Sequence, residues 1–377
     1  MRVRRAAWAA GLLLAGVALS GCADVRYLTQ AAGGQLDLLR RARPVEAALV
    51  DPATPPEVRR KLRLASEVRA FAVAPEAAGG LGLPDHGSFL KFVDVGRPFV
   101  VWNVFSAPEF SVTLDTSCFP VAGCVGYRGY FSEAAARAYA QERRAAGRDV
   151  SVGGVSAYST LGYLRDPVLS TMLAYPDATL IRTVIHELAH PALYVPGDTV
   201  FNESYATAVE EEGMRRWLAA HGTPELREQD RLAQERQSGF EALLLGARAQ
   251  LEALYARPDL TGQRRREGKA AVLADLNARY ATLRAAWGGY AGYDAYFARG
   301  VNNASLGAVA AYAAMVPDFQ ALLARVDGHL PAFTEGARVC AQRPQTERAA
   351  CLRGSGSVHE RRWDPARRLC VPERVRV

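Results

Sequence analysis

Histidine is scarce in this chain, with six in 377 residues. Two of them nonetheless fall four apart around a glutamate, in Thr183-Val-Ile-His-Glu-Leu-Ala-His190. A random chain of this length and composition would produce that spacing about once in a hundred. Other absences narrow the classes open to the protein. The six cysteines include no Cys-x-x-Cys pair, so the usual hook of a cysteine-held metal is missing. Beyond residues 1–21 no stretch is long and apolar enough to read as a membrane span. The formal charge of +7 is also missing from the body: residues 1–21 carry three Arg and no acid, and residues 336–377 carry ten Arg against four acids. A near-neutral body with basic ends does not describe a nucleic-acid-binding fold. The terminal basic segment is expected to be solvated or to touch anionic lipid or cell-wall polymer.

What is present at the start of the chain is a targeting pattern. Arg2, Arg4 and Arg5 precede an apolar run, Ala6 to Leu19, and then Leu19-Ser-Gly-Cys22. This is similar to a bacterial lipoprotein signal, in which Cys22 becomes the lipidated first residue; the plain alternative is an ordinary signal peptide with an incidental cysteine. The expectation is an envelope lipoprotein facing the periplasm. Export permits disulfides. Cys118 and Cys124 enclose Phe-Pro-Val-Ala-Gly, a loop suited to a tight turn and so to a bridge. Cys340, Cys351 and Cys370 form an odd trio, read as one pair of unassigned partners and one free thiol.

Residues 22–88 read as an N-terminal helical segment, with helices over Val25 to Arg43 and Pro56 to Ala74, the second started by Pro55-Pro56 and Glu57. A body of 89–335 follows. In it, 89–176 reads as a small sheet built from Leu90–Val95, Pro98–Phe105, Val112–Leu114, Val125–Tyr130 and Val150–Gly154, with a Ser132-capped helix between the last two. Residues 177–220 read as two functional helices and 221–335 as a helical bundle. There Phe240 to Leu254 and Leu273 to Trp287 repeat apolar residues at alternating threes and fours, an antiparallel hairpin that closes within one chain and favours a monomer. Residues 336–377 read as a Cys-containing tail with little regular structure after Gly354.

Helical spacing puts His186 and His190 on one face, able to offer two imidazole nitrogens to one metal, with Glu187 beside them toward a bound water. Thirteen residues beyond His190 comes Glu203, in Phe201-Asn-Glu-Ser-Tyr-Ala206. Two histidines and a carboxylate with a fourth position open is a catalytic zinc set. Pro191 cannot continue the helix, so the metal helix should end within a turn; Val195-Pro-Gly-Asp198 reads as a turn, with Asp198 or Thr199 capping the next helix. Glu210, or Thr207, could hold the second nitrogen of a ligating imidazole, unless Glu210 to Glu212 are simply a solvated acidic cluster.

These residues resemble those of the gluzincin metallopeptidases, and most closely a bacterial family of putative aminopeptidases. The resemblance extends to Cys124-Val-Gly-Tyr-Arg-Gly-Tyr-Phe131, Gly153-Gly-Val-Ser-Ala-Tyr-Ser-Thr-Leu-Gly-Tyr163, Asp166-Pro-Val-Leu-Ser-Thr-Met-Leu173 and Asn302-Asn-Ala-Ser-Leu306. It implies a predominantly α-helical α+β fold with a zincin-like core and peptide substrates. It also implies that a sheet edge, here Gly153, Gly154 and Val155, pairs with the substrate; the bland reading of the two glycines is a β-bulge. A tyrosine should stabilise the oxyanion. Tyr158, after that strand, leads over Tyr205, Tyr293 and Tyr312. The segment lacks the carboxylate with which alanyl aminopeptidases hold the substrate ammonium, so exopeptidase activity rests on the family resemblance. The alternatives are a hydrolase of cell-wall peptide amides and a noncatalytic zinc-containing lipoprotein that binds a partner.

Overall fold

The N-terminal segment does not stand apart from the body. The computed structural model describes residues 27–119, 123–157, 160, 164–354, 361–364 and 369–372, so the expectations for residues 1–21, Cys22 and Tyr158 lie outside the described residues. Helix α1 (27–41) leads into strand β1 (Arg43–Pro44), helix α2 (Val45–Val50) and helix α3 (Pro56–Val73), which has Pro56 at its first position and Glu57 in its first turn. Strand β1 pairs antiparallel with β2 (Lys91–Val93), so the expected division at residue 88 falls within one packed unit. Leu62, Ala65, Val68 and Ala72 form the buried stripe of α3, in the same core as Leu180 and Ile181.

The sheet expected over 89–176 is divided. Strand β3 (Val101–Pro108) is central to a second three-stranded sheet, flanked antiparallel by β6 (Arg128–Tyr130) and β7 (Arg148–Val155). Between them, β4 (Ser117–Phe119) and β5 (Gly123–Val125) make a separate hairpin that Cys118 and Cys124 bridge. Helix α4 (Glu133–Ala145) starts at Ser132, whose hydroxyl accepts from the Ala135 amide at 3.3 Å, and sets Ala136 and Ala140 against Trp102, Val104 and Val150. Val112 to Leu114 is not a strand: Val112 is buried among the residues of the helical hairpin, so its apolar character serves side-chain packing without backbone pairing. Strand β8 (Val168–Leu169) joins β2 in parallel and runs into α5 (Ser170–Leu173).

From there the chain is helical: α6 (Asp177–Ala189), α7 (Thr199–His221), the hairpin α8 (Pro224–Tyr255) and α9 (Gly262–Ala286), then α10 (Asp294–Ala298), α11 (Asn303–Ala313) and α12 (Val316–Arg325). The hairpin buries Phe240, Leu244, Ala247 and Leu251 against Leu276 and Tyr280 in a cluster of its own. Asn302 starts α11 with a reciprocal capping box through Ser305. Helix α13 (Leu330–Ala341) runs through residue 335 and α14 (Gln345–Arg353) follows, joined by a Cys340–Cys351 disulfide. Leu330, Phe333, Ala337 and Leu352 belong to the main core. Truncating one such fully buried side chain costs about 3 kcal/mol, so these helices are structural. After Gly354, where little order was expected, β9 (Arg361–Asp364) and β10 (Leu369–Pro372) pair antiparallel. The result is α+β and predominantly α-helical, as expected, and no helix among the described residues is long and apolar enough to cross a membrane.

Candidate metal centre

Helix α6 is two-faced. Ala178, Leu180, Ile181, Val184, Ile185, Leu188 and Ala189 are buried on one side, leaving Arg182, Thr183, His186 and Glu187 to run along the other. The helix stops at Ala189, and His190-Pro191-Ala192 tightens into a 3₁₀ turn. The proline removes an amide donor just where the chain must turn back. Asp198 then caps α7, its carboxylate accepting from the Phe201 amide at 3.1 Å. Asn202 ties the turn down by exchanging two hydrogen bonds with Val195, at 2.7 and 2.8 Å.

On α7 the residues left between the buried positions include Glu203, Thr207 and Glu210, spaced four and three apart on one face. The two helices run antiparallel, so His190 lies by Glu203 and Arg182 by Glu210. Their close approach depends on Gly213. A Cβ there would come within 2.9 Å of Ile185, too near for any larger residue without displacing the metal helix.

His186 Nε2 is 3.3 Å and His190 Nε2 3.8 Å from Glu203 Oε2, and a donor atom from each of the three lies within 4.8 Å of the others. On its far side His186 Nδ1 meets Glu210 Oε2 at 3.1 Å. If Nδ1 carries the proton it donates to this carboxylate, and the lone pair of Nε2 faces Glu203. Thr207 sits between the two glutamates on the helix, but the carboxylate at the imidazole is that of Glu210. Glu210 is therefore no member of a solvated acidic cluster. Its neighbours differ: Glu211 accepts from Gln320 at 2.7 Å, and Glu212 is tied to Arg215 and Arg216.

Burial sets the electrostatics of the site. It disfavours charge on His186, yet the hydrogen bonds to Glu203 and Glu210 outweigh it and raise the imidazole well above its ordinary pKa. His190 has no such bond, and burial pushes it down to about 4. Glu203 and Glu210 are held below the usual carboxylate range because the imidazoles overcome their burial. Glu187 is pushed up to about 7, chiefly by burial and then by the nearby charges of Glu203, Asp166 and Glu210. Its Oε2 is buried with no hydrogen-bond partner among the described residues, as is Nδ1 of His190.

The other expected positions are dispersed. Tyr205 is fully buried, stacks on Phe333 and bonds Thr334 at 2.8 Å; Tyr293 stacks on Phe240 in the helical hairpin. Both are packing residues. The side chain of Tyr312 lies outside the described residues. Strand β7 is an edge strand, but its partners are β3, α4 and α11, and Asn302 already occupies the Val150 carbonyl at 3.1 Å. The ladder from Val101–Val155 to Pro108–Arg148 is unbroken, which rules out a bulge at the two glycines. Gly154 admits the ring of Phe99, 2.2 Å from where its Cβ would be, whereas Gly153 faces open space. One residue was not among the sequence candidates: Tyr127, half-buried and within electrostatic reach of both Glu203 and Glu187. It lines a cavity of about 200 Å³ with Ser106, Asp115 and Arg143. Its place in the Cys124–Phe131 segment was the available signal.

A helical α+β body that converges two histidines and a glutamate on one point, with a further buried carboxylate alongside, defines a protein with a candidate three-ligand metal centre. The chain belongs to the putative aminopeptidase family, which it matches over residues 26–352. No curated protein and no solved structure matches it.

Proposed function

We propose that the protein is a zinc-dependent peptidase that hydrolyses peptide bonds with Glu187 as general base, and that it trims substrates from the amino terminus. The observation that carries this reading is the convergence of His186, His190 and Glu203 beside the unpartnered carboxylate oxygen of Glu187. The donor set fits zinc: tetrahedral ligands about 2.1 Å from the ion stand about 3.4 Å apart, close to the 3.3 and 3.8 Å separations here. Two imidazoles and one carboxylate suit zinc better than an oxygen-seeking cation. When bound, zinc would supply acidification of a water and polarisation of the scissile carbonyl.

Everything else falls to the protein. Glu187, raised to about 7, accepts the proton of the attacking water and returns it to the departing amine. Glu210 holds His186 in the tautomer that leaves Nε2 free. Tyr127, half-buried and within electrostatic range of both carboxylates, donates toward the developing oxyanion in this reading. The amino-terminal preference follows the family assignment.

Cys22 anchors the chain to an envelope membrane on its periplasmic side in this reading, as a monomer. The Cys118–Cys124 and Cys340–Cys351 bridges support it, since such bonds persist in oxidising compartments. A peptide-library digest by zinc-loaded protein, read by mass spectrometry beside Glu187→Gln, tests the activity. Loss of single N-terminal residues from wild-type digests alone is expected. Identical digests from both proteins would refute it.

A further inference from the structure

We infer that Arg182 is a positioning residue for His186, acting through Glu210 and itself held by Asp230 of the helical hairpin. The inference rests on the reading of His186 as a metal ligand.

Arg182 lies one turn before His186 on α6, so its guanidinium rides over the same helix face. Nη1 donates to Glu210 Oε1 at 3.1 Å, and Nε donates to Asp230 Oδ1 at 2.7 Å. The Gln234 amide, oriented with its oxygen toward the guanidinium, adds a third acceptor. The side chains of Arg182, Glu210 and Asp230 are only 14, 19 and 12% exposed. Charges this far from water persist only when each has a partner, and here every one does.

Glu210 divides its two oxygens between Arg182 and His186. A carboxylate bound to the imidazole alone can swing about its side chain. With its other oxygen fixed by the guanidinium, Oε2 has one location, and the His186 ring is oriented by it. The planar fork of arginine can bridge two carboxylates on different helices, which the point charge of a lysine does poorly. Asp230 and Gln234 belong to α8, whose hairpin with α9 has a separate hydrophobic cluster. The bridge therefore ties that hairpin to the metal helix beside the site.

Zinc affinity is measured by chelator competition on the full chain for wild type, Arg182→Met, Glu210→Gln and the double variant, together with the visible spectrum of the cobalt-substituted proteins. Arg182→Met should weaken zinc binding roughly 10- to 100-fold and shift the cobalt bands, as loss of groups orienting metal ligands does. Arg182→Lys should recover only part of the affinity. The double variant should bind no more weakly than Glu210→Gln alone, because the arginine acts through that glutamate. Arg231→Met, on the exposed side of α8, should match wild type. If Arg182→Met fails to fold, Asp230→Asn replaces it, with a smaller loss in the same direction. Unchanged affinity in a folded Arg182→Met, or losses that simply add in the double variant, would overturn the proposal. Equal zinc binding by wild type and His186→Ala would instead overturn the metal reading beneath it.

Discussion

Arg348 on α14 forms a buried ion pair with Asp198, the cap of the helix that carries Glu203. Asp198 thus serves two elements, accepting from the Phe201 amide with one oxygen and from Arg348 with the other. At the opposite end of the same turn, Arg338 on α13 donates to the Ala192 carbonyl at 3.1 Å. The short return between the histidines and Glu203 is therefore held at both ends by helices that a disulfide joins.

Replacing Arg348 with Met should destabilise the fold by about 3–5 kcal/mol, because Asp198 is left buried and unpaired. Adding Asp198→Asn should restore part of the loss, since asparagine keeps the helix cap without the charge. Urea denaturation of the single and double variants checks both. A shift below about 0.5 kcal/mol for the single change, the range of an ordinary surface substitution, would mean that the pair does not hold the turn.

Gly123 has φ +73° and a virtual Cβ only 2.6 Å from the Gly197 amide nitrogen, where the disulfide hairpin abuts the return turn. Gly123→Ala should lower stability by about 1 kcal/mol or more through its backbone alone, and also weaken zinc binding by pushing the turn. Gly147, with φ +74° and open space around it, separates the two effects. Gly147→Ala should lose stability but keep its metal affinity. Equal zinc affinity in the two variants would show that the hairpin contact does not reach the site.

Glu187→Gln should keep zinc and lose peptide hydrolysis about 10²- to 10⁴-fold, since it removes a general base and no ligand. Elemental analysis and single-turnover cleavage make the comparison. Undiminished turnover would remove Glu187 from the mechanism.

Glu203→Gln should weaken zinc binding and turnover together, because the third ligand contributes charge as well as geometry. Glu211→Gln, whose carboxylate accepts from Gln320 away from the imidazoles, should change little. Full zinc occupancy in Glu203→Gln with loss in Glu210→Gln would require a different ligand set.

The parts of the site that are local in sequence were legible beforehand. His186, Glu187 and His190 share a helical face through their spacing, Pro191 ends that helix, and Asp198 caps the next, all within a few residues of one another. Glu203 followed from its place and context after the histidines, and Glu210 from its helical spacing to Glu203, with a solvated acidic cluster as the alternative. Tyr127 did not, because it lies within electrostatic range of the two carboxylates only through the fold, from another part of the chain. Nor did the place of residues 336–353, since the ten arginines of 336–377 suggested a solvated tail although Ala337, Cys340 and Leu352 are buried.

By itself, then, the sequence determined the helix faces, the caps, the breaks and the family, because backbone hydrogen bonding and side-chain period act over one or two turns. The tertiary structure alone decided which charges face one another across elements. Arg182 with Glu210 and Asp230, Arg348 with Asp198, and Gly123 against Gly197 are separated by 28 to 150 residues. No local period encodes such pairs; they form only after the apolar faces of α6, α7 and α13 have packed and left those groups without water.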